Sequence, residues 1–168
     1  MTADELIRVL GLEVLPLEGG HFRQTYKADE TVAVPAPDQE HPLVKPRSTA
    51  IFYLLSADPD SFSALHRLPT VEIYHFYLGD PVELLLLRQD GESEVVTLGH
   101  DILNGQHVQF AVPAGVWQGS CVVPGGEFAL MGTTMAPGFV DTDYVPGDRD
   151  TLLERFPDRA ELIRLLTR

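Results

Sequence analysis

The chain has 168 residues, 44% of them hydrophobic, and a mean hydropathy close to zero, which suits one globular domain spanning 1–168 and argues against disorder. Its 25 acidic residues against 12 basic ones leave a formal charge of −13, which repels the phosphates of nucleic acid and the anionic face of a membrane, so neither is expected as a partner. The one cysteine, Cys121, excludes an intrachain disulfide and a cysteine-rich zinc module, and a reducing, cytoplasmic setting is expected.

The opening stretch is acidic and amphipathic where a signal peptide would be basic and then apolar, and no apolar run approaches the length that spans a bilayer. Thr2 followed by Glu5 makes a capping box, Leu6, Ile7 and Leu10 share a helical face, and Gly11 is a stop; a short N-terminal helix is expected. In "LEGGHFRQTYKA" two glycines precede alternating residues, which reads as a turn into a strand with Phe22, Gln24 and Tyr26 on one face. This stretch lacks the spacing and following helix of a phosphate loop, so its glycines are turn residues.

Residues 33–47, with four prolines and several charges, predict a loop that is the most mobile part of the chain. Beyond it come "TAIFYLL", "VEIYHFYL", "VELLLLR", "EVVTLG", "HVQFAV", "VWQGSCVV" and "EFALMGTT". Most are separated by Gly, Pro, Asp or Asn at intervals of about ten residues, the pattern of an all-β sandwich or barrel. From Asp148 onward, Leu152, Leu153 and Phe156 precede Pro157, and Leu162, Ile163, Leu165 and Leu166 follow it, which predicts two short helices broken at the proline.

The stretch "HRLPTVEIYHFYLG" sets His66, Leu68, Glu72 and Gly79 at spacings that resemble the first motif of the cupin superfamily, with Leu68 where a second histidine would stand. The stretch "NGQHVQFAVPAGVWQG" resembles the second motif, with Gly105 at its start, Pro113 and Gly115 at the turn and Gln118 in the position of the third histidine. Together with "LEGGHFRQTY", "HRLPTVEIYHFYLGDPVEL" and "APGF", these stretches are similar to the cupin-five group of small domains, from about Leu17 to Pro157. The resemblance implies a double-stranded β-helix, or jelly-roll barrel, and commonly a homodimer, but no particular reaction.

On that barrel assignment, His66, Glu72 and Gln118 point inward, and interior polar groups need partners or a ligand. Three ligands plus water are usual for zinc, and two histidines with a carboxylate for non-haem iron. The chain offers His66 and Glu72 as strong ligands and Gln118 as a weak one, so no metal cofactor is expected; if one were held, those three residues would hold it. His75 points away from Glu72 along an extended strand and is read as a packed or interface histidine.

His66 and Glu72 are then either an acid and base pair or a hydrogen-bonded pair in a barrel that only binds. Tyr74 shares Glu72's face, to contact a ligand or fill the core with its hydroxyl at the rim. Ser120 repeats Gln118's inward direction, and Phe139 in "APGF" is a lid or a plug at the barrel mouth. Trp117 is expected between sheets or against a partner subunit. Nothing resembles a nucleophile elbow, and Cys121 has no basic neighbour, so covalent catalysis is not expected.

Three functions fit this pattern. The first is a metal-independent isomerase or epimerase acting on a polar, carbohydrate-like metabolite, with His66 and Glu72 moving protons. The second is a non-catalytic ligand-binding or sensing protein, and the third a metal-dependent oxygenase or isomerase.

Overall fold

The computed structural model describes residues 1–35 and 42–168. In chain order the elements are α1 (Ala3–Leu10), β1 (Glu13–Val14), β2 (His21–Lys27), β3 (Thr31–Val34), β4 (Leu43–Pro46), β5 (Thr49–Ser56), β6 (Ser63–Arg67), β7 (Glu72–Gly79) and β8 (Val82–Leu87). They continue with β9 (Ser93–Leu98), β10 (Gln109–Val112), β11 (Trp117–Val122), β12 (Phe128–Met135), β13 (Val145–Pro146), α2 (Arg149–Arg155) and α3 (Ala160–Leu165).

Two antiparallel sheets face each other as a jelly-roll barrel, one of six strands in the order β1-β2-β5-β12-β7-β10 and one of five in the order β13-β6-β11-β8-β9. The period of two along each strand decides where each side chain goes. Leu84 and Leu86 point into the barrel with Tyr53, Leu55, Tyr74, Phe76 and Met131, while Leu85 and Leu87 point outward onto a second apolar layer. That layer is made by Leu152 of α2 and Ile163 of α3 with the residues that end the two helices, Phe156 and Leu166, packed on the five-stranded sheet. The unbroken run of four leucines is therefore buried on both faces, each contributing about 1.5–3 kcal/mol of transfer free energy.

The predicted N-terminal helix forms as its capping box directs. The Thr2 side chain accepts from the Glu5 amide, the Glu5 carboxylate accepts from the Thr2 amide, and Gly11 closes the helix in the left-handed conformation. Its Leu6 packs with Leu12 against Leu54, Phe128 and Leu130 on the six-stranded sheet. The break at Pro157 between α2 and α3 is also as predicted, with one turn of 3₁₀-helix at the proline. No helix among the described residues is long and apolar enough to cross a membrane.

Three expectations are corrected. Residues 33–47 are not a loop throughout: β3 and β4 pair as a hairpin around residues 36–41, which lie outside the described residues. Lys45 of that hairpin is buried, 1% exposed, in an ion pair with Asp143 at 2.6 Å, and it also donates to Thr70 Oγ1 at 3.4 Å. Tyr26 does not share the face of Phe22 and Gln24, because a bulge after Gln24 shifts the register against β5 and leaves Tyr26 55% exposed. Of the two places expected for Trp117, the one between the sheets is not where it lies; it is half-buried outside the barrel beside the C-terminal helices, with the Arg67 guanidinium 4.9 Å from its ring centre.

Candidate functional site

An interior cavity of about 90 Å³ lies at the end of the barrel where β5 and β7 begin and β12 ends. Phe22 and Gln24 of β2, Thr49, Ala50 and Ile51 of β5, and Thr133 and Met135 of β12 form much of its wall. His66 comes from β6 and Glu72 is the first residue of β7, so strands from both sheets bring the imidazole and the carboxylate to one space.

His66 is 1% exposed, and its Nδ1 lies 2.7 Å from the carbonyl oxygen of Ala64. A carbonyl only accepts, so Nδ1 carries the hydrogen, and it is Nε2 that bears the lone pair when the ring is neutral. Among the described residues Nε2 has no hydrogen-bond partner, and His66 lines the cavity. Tyr144 stacks on the ring, with centroids 5.0 Å apart and 23° between planes, which fixes the imidazole from the side.

Glu72 accepts from Gln118 Nε2 at 2.8 Å. Burial, and after it the negative charge of Glu18, raise its carboxyl above the ordinary range; a protonated His66 and hydrogen bonds from Thr133 and Gln118 oppose the rise. Glu72 thus stands closer than a surface carboxylate to holding a proton near neutral pH.

Glu18 is the functional candidate that sequence reasoning missed. It lines the same cavity, and Ser63 Oγ donates to its Oε1 at 2.8 Å. The signal lay in the "LEGG" turn: Leu17, Gly19 and Gly20 all have positive φ, at 67°, 100° and 68°. A Cβ on Gly19 would lie 2.4 Å from the Phe62 carbonyl oxygen, and one on Gly20 2.9 Å from that of Leu54, so the turn is pressed against the barrel. Glu18 is the acidic residue that this turn carries inward.

Of the remaining candidates, Phe139 lines the cavity as a wall on the segment after β12, its amide donating to Thr49 Oγ1 at 3.0 Å. Gln118 is buried behind Glu72, opposite His66 across the β6–β11 pair, and does not line the cavity. Tyr74 and Ser120 point inward but are buried outside the cavity lining, Tyr74 in the apolar core with its phenol raised chiefly by burial. The Gln118 Oε1 and Ser120 Oγ atoms have no partner among the described residues. His75 faces away, between Thr134 Oγ1 at 2.9 Å and Gln109 Nε2 at 3.1 Å, and partial burial lowers its pKa.

The residues present do not fit a transition metal. Leu68 puts hydrocarbon in the cavity wall, and no three His, Cys, Asp or Glu side chains among the described residues are grouped to hold an ion.

The chain matches the family model Cupin_5, described as "Cupin superfamily (DUF985)", over residues 4–145. It is 30% identical over 135 residues to the uncharacterized protein YML079W of Saccharomyces cerevisiae, a match spanning 76% of this chain and 66%, just under two thirds, of that relative. Among solved structures it resembles protein SO0799 from Shewanella oneidensis, at 29% identity, TM-score 0.84 and coverage of 100% of this chain and 98% of that one. A hypothetical protein from Leishmania major matches at 26% identity, TM-score 0.86 and 99% of both chains. A dTDP sugar isomerase from Desulfovibrio desulfuricans, at 16% identity, TM-score 0.53, 87% of this chain and 91% of that one, shares the fold.

Proposed function

The chain belongs to the Cupin_5 family of the cupin superfamily, and from that premise we propose that it binds a small polar metabolite and moves a carbon-bound proton on it without a metal, as an isomerase or epimerase does. The observation that carries this reading is the hydrogen bond from His66 Nδ1 to the Ala64 carbonyl, which leaves Nε2 as a free base in a cavity shared with Glu72.

The bound molecule needs a carbonyl next to a carbon that bears hydrogen, as open-chain carbohydrates have. His66 Nε2 takes that hydrogen as a proton while the electron pair of the C–H bond moves toward the carbonyl and forms an enol. Protonated Glu72 gives its proton to the carbonyl oxygen, and its raised pKa supports that state. Delivery of a proton from solvent to the other face of the same carbon, with the enol proton passing back to Glu72 and the His66 proton released to solvent, inverts its configuration. Return of the His66 proton to the neighbouring carbon, with the hydroxyl proton passing to Glu72, moves the carbonyl and restores both groups. The sugar isomerase among the structural neighbours supports the plausibility of such chemistry on this fold, and at 16% identity supplies no residue roles.

Mass spectrometry of the small molecules that co-purify with the protein tests the substrate side of this reading. A polar compound with a carbonyl beside a C–H bond is expected; a hydrocarbon or a nucleotide sugar would contradict it.

A further inference from the structure

We propose that the cavity takes a small organic cation carrying an ammonium group, and that Glu18 is the residue that recognises the charge. This rests on the reading of His66 and Glu72 above for the carbonyl part of the ligand, and is independent of it for the ammonium.

Four observations carry the assignment. The first is charge: Glu18 lines the cavity beside a Glu72 that the proton-transfer reading keeps protonated, and no lysine or arginine lines it. The nearby Lys45 is already paired, buried, with Asp143. A ligand carrying phosphate or carboxylate would meet the like charge of Glu18, whereas an ammonium ion would be paired with it.

The second is the rest of the lining, where Phe22, Phe139 and Met135 present polarisable surface suited to an organic cation. The third is strain. Leu17 holds φ of 67° although it is 76% exposed and gains little from packing. A branched residue in the left-handed region persists only where its surroundings over-determine it, and here the outcome is Glu18 turned inward and clamped by Ser63. The fourth is that the buried His66 ring presents an unpartnered Nε2 to the same space, so the carboxylates belong to a site that receives a hydrogen-bonding guest.

The cavity volume of about 90 Å³ favours a small guest.

The test compares aminoacetone, hydroxyacetone and glycolate, three probes with the same number of non-hydrogen atoms that are cationic, neutral and anionic. They are titrated into the full-length protein near neutral pH, below the pKa of the ammonium group, and followed by ligand-observed NMR. Aminoacetone is expected to bind at least about tenfold more tightly than hydroxyacetone, with glycolate weakest. Glu18→Gln is expected to erase that preference and Glu18→Asp, which keeps the charge, to retain it. The wild-type ranking stands as a test even where a variant fails to fold.

Equal or tighter binding of hydroxyacetone or glycolate, saturation by none of the three, or an unchanged preference in a folded Glu18→Gln protein would overturn the proposal. Deuterium incorporation at the α-carbon, read in the same samples, separates the two ideas. A cation preference without exchange upholds this proposal and removes the proton-transfer chemistry. Exchange on hydroxyacetone without a preference does the reverse.

Discussion

The Lys45 ammonium meets the Asp143 carboxylate at 2.6 Å with both side chains almost fully buried, and this contact ties the β3–β4 hairpin to the segment that closes the cavity. That segment runs from the cis peptide at Ala136–Pro137 through Phe139, which lines the cavity, to Tyr144, which stacks on His66. It is held along its length: the Gly138 amide donates to the Pro46 carbonyl, Asp143 caps the Val140 amide, and Val145 and Pro146 pair with β6 beside His66. Removing one partner of a buried pair strands the other charge, so Lys45→Met should destabilise the fold by about 3–5 kcal/mol. The double variant Lys45→Met, Asp143→Leu should recover part of that loss. Chemical denaturation of the three proteins checks it, and additive losses would mean that the pair is not coupled.

The stacking of Tyr144 on His66 predicts a separate effect. Tyr144→Phe preserves the ring and should leave the His66 imidazole NMR signals near their wild-type positions. Tyr144→Ala should shift and broaden them as the ring gains freedom. Similar spectra for both variants would show that the stack does not position the imidazole.

Glu72 gives the fold a pH signature. Its carboxyl is raised above its ordinary value by burial first and by Glu18 second, so the folded chain holds this proton more tightly than the unfolded one. The resulting stabilisation is fully present below the unfolded carboxyl pKa and is lost as pH rises through the folded one. Relative to Glu72→Gln, the wild-type protein should therefore lose stability as pH rises from below the ordinary glutamate value toward neutrality. Paired denaturant melts across that interval measure the difference, and a flat difference or one of opposite slope would contradict the assignment.

Leu17 offers a test of backbone strain. Replacing this exposed residue of φ 67° by glycine removes the left-handed penalty, about 1–2 kcal/mol, against a gain in unfolded-state entropy of about 0.5–1 kcal/mol. Leu17→Gly should stabilise the protein by up to about 1 kcal/mol in equilibrium unfolding. A loss of stability would mean that the Leu17 side chain contributes more than its exposure indicates.

Much of the barrel was legible because it follows local rules. Period-two apolar strands between turn residues became β5 and β7 to β12, and the Thr2 and Glu5 capping box became α1. The strand bearing His66 was not read as one. Ser63–Arg67 is short, and its Ser63, Ala64, Leu65 and His66 are all buried, so no alternation of exposure marks it. The hairpin at Leu43–Pro46 was hidden by its prolines and by a lysine whose burial depends on Asp143, 98 positions later in the chain. His66 and Glu72, which spacing singles out together, both line one cavity. Glu18 escaped because its inward direction is set by three positive-φ residues, which composition alone does not reveal. Gln118, Tyr74 and Ser120 have the expected inward direction but sit outside the cavity lining, a matter of depth along the barrel that strand alternation does not encode.

Deuterium incorporation from solvent into the α-carbon of aminoacetone and hydroxyacetone, measured by NMR on protein stripped with a chelator, bears most directly on the proton-transfer reading. The predicted result is exchange above the buffer rate that survives chelation and is lost in both His66→Ala and Glu72→Gln. Exchange that is unchanged in either variant, or that vanishes on chelation and returns with a divalent metal, would contradict it.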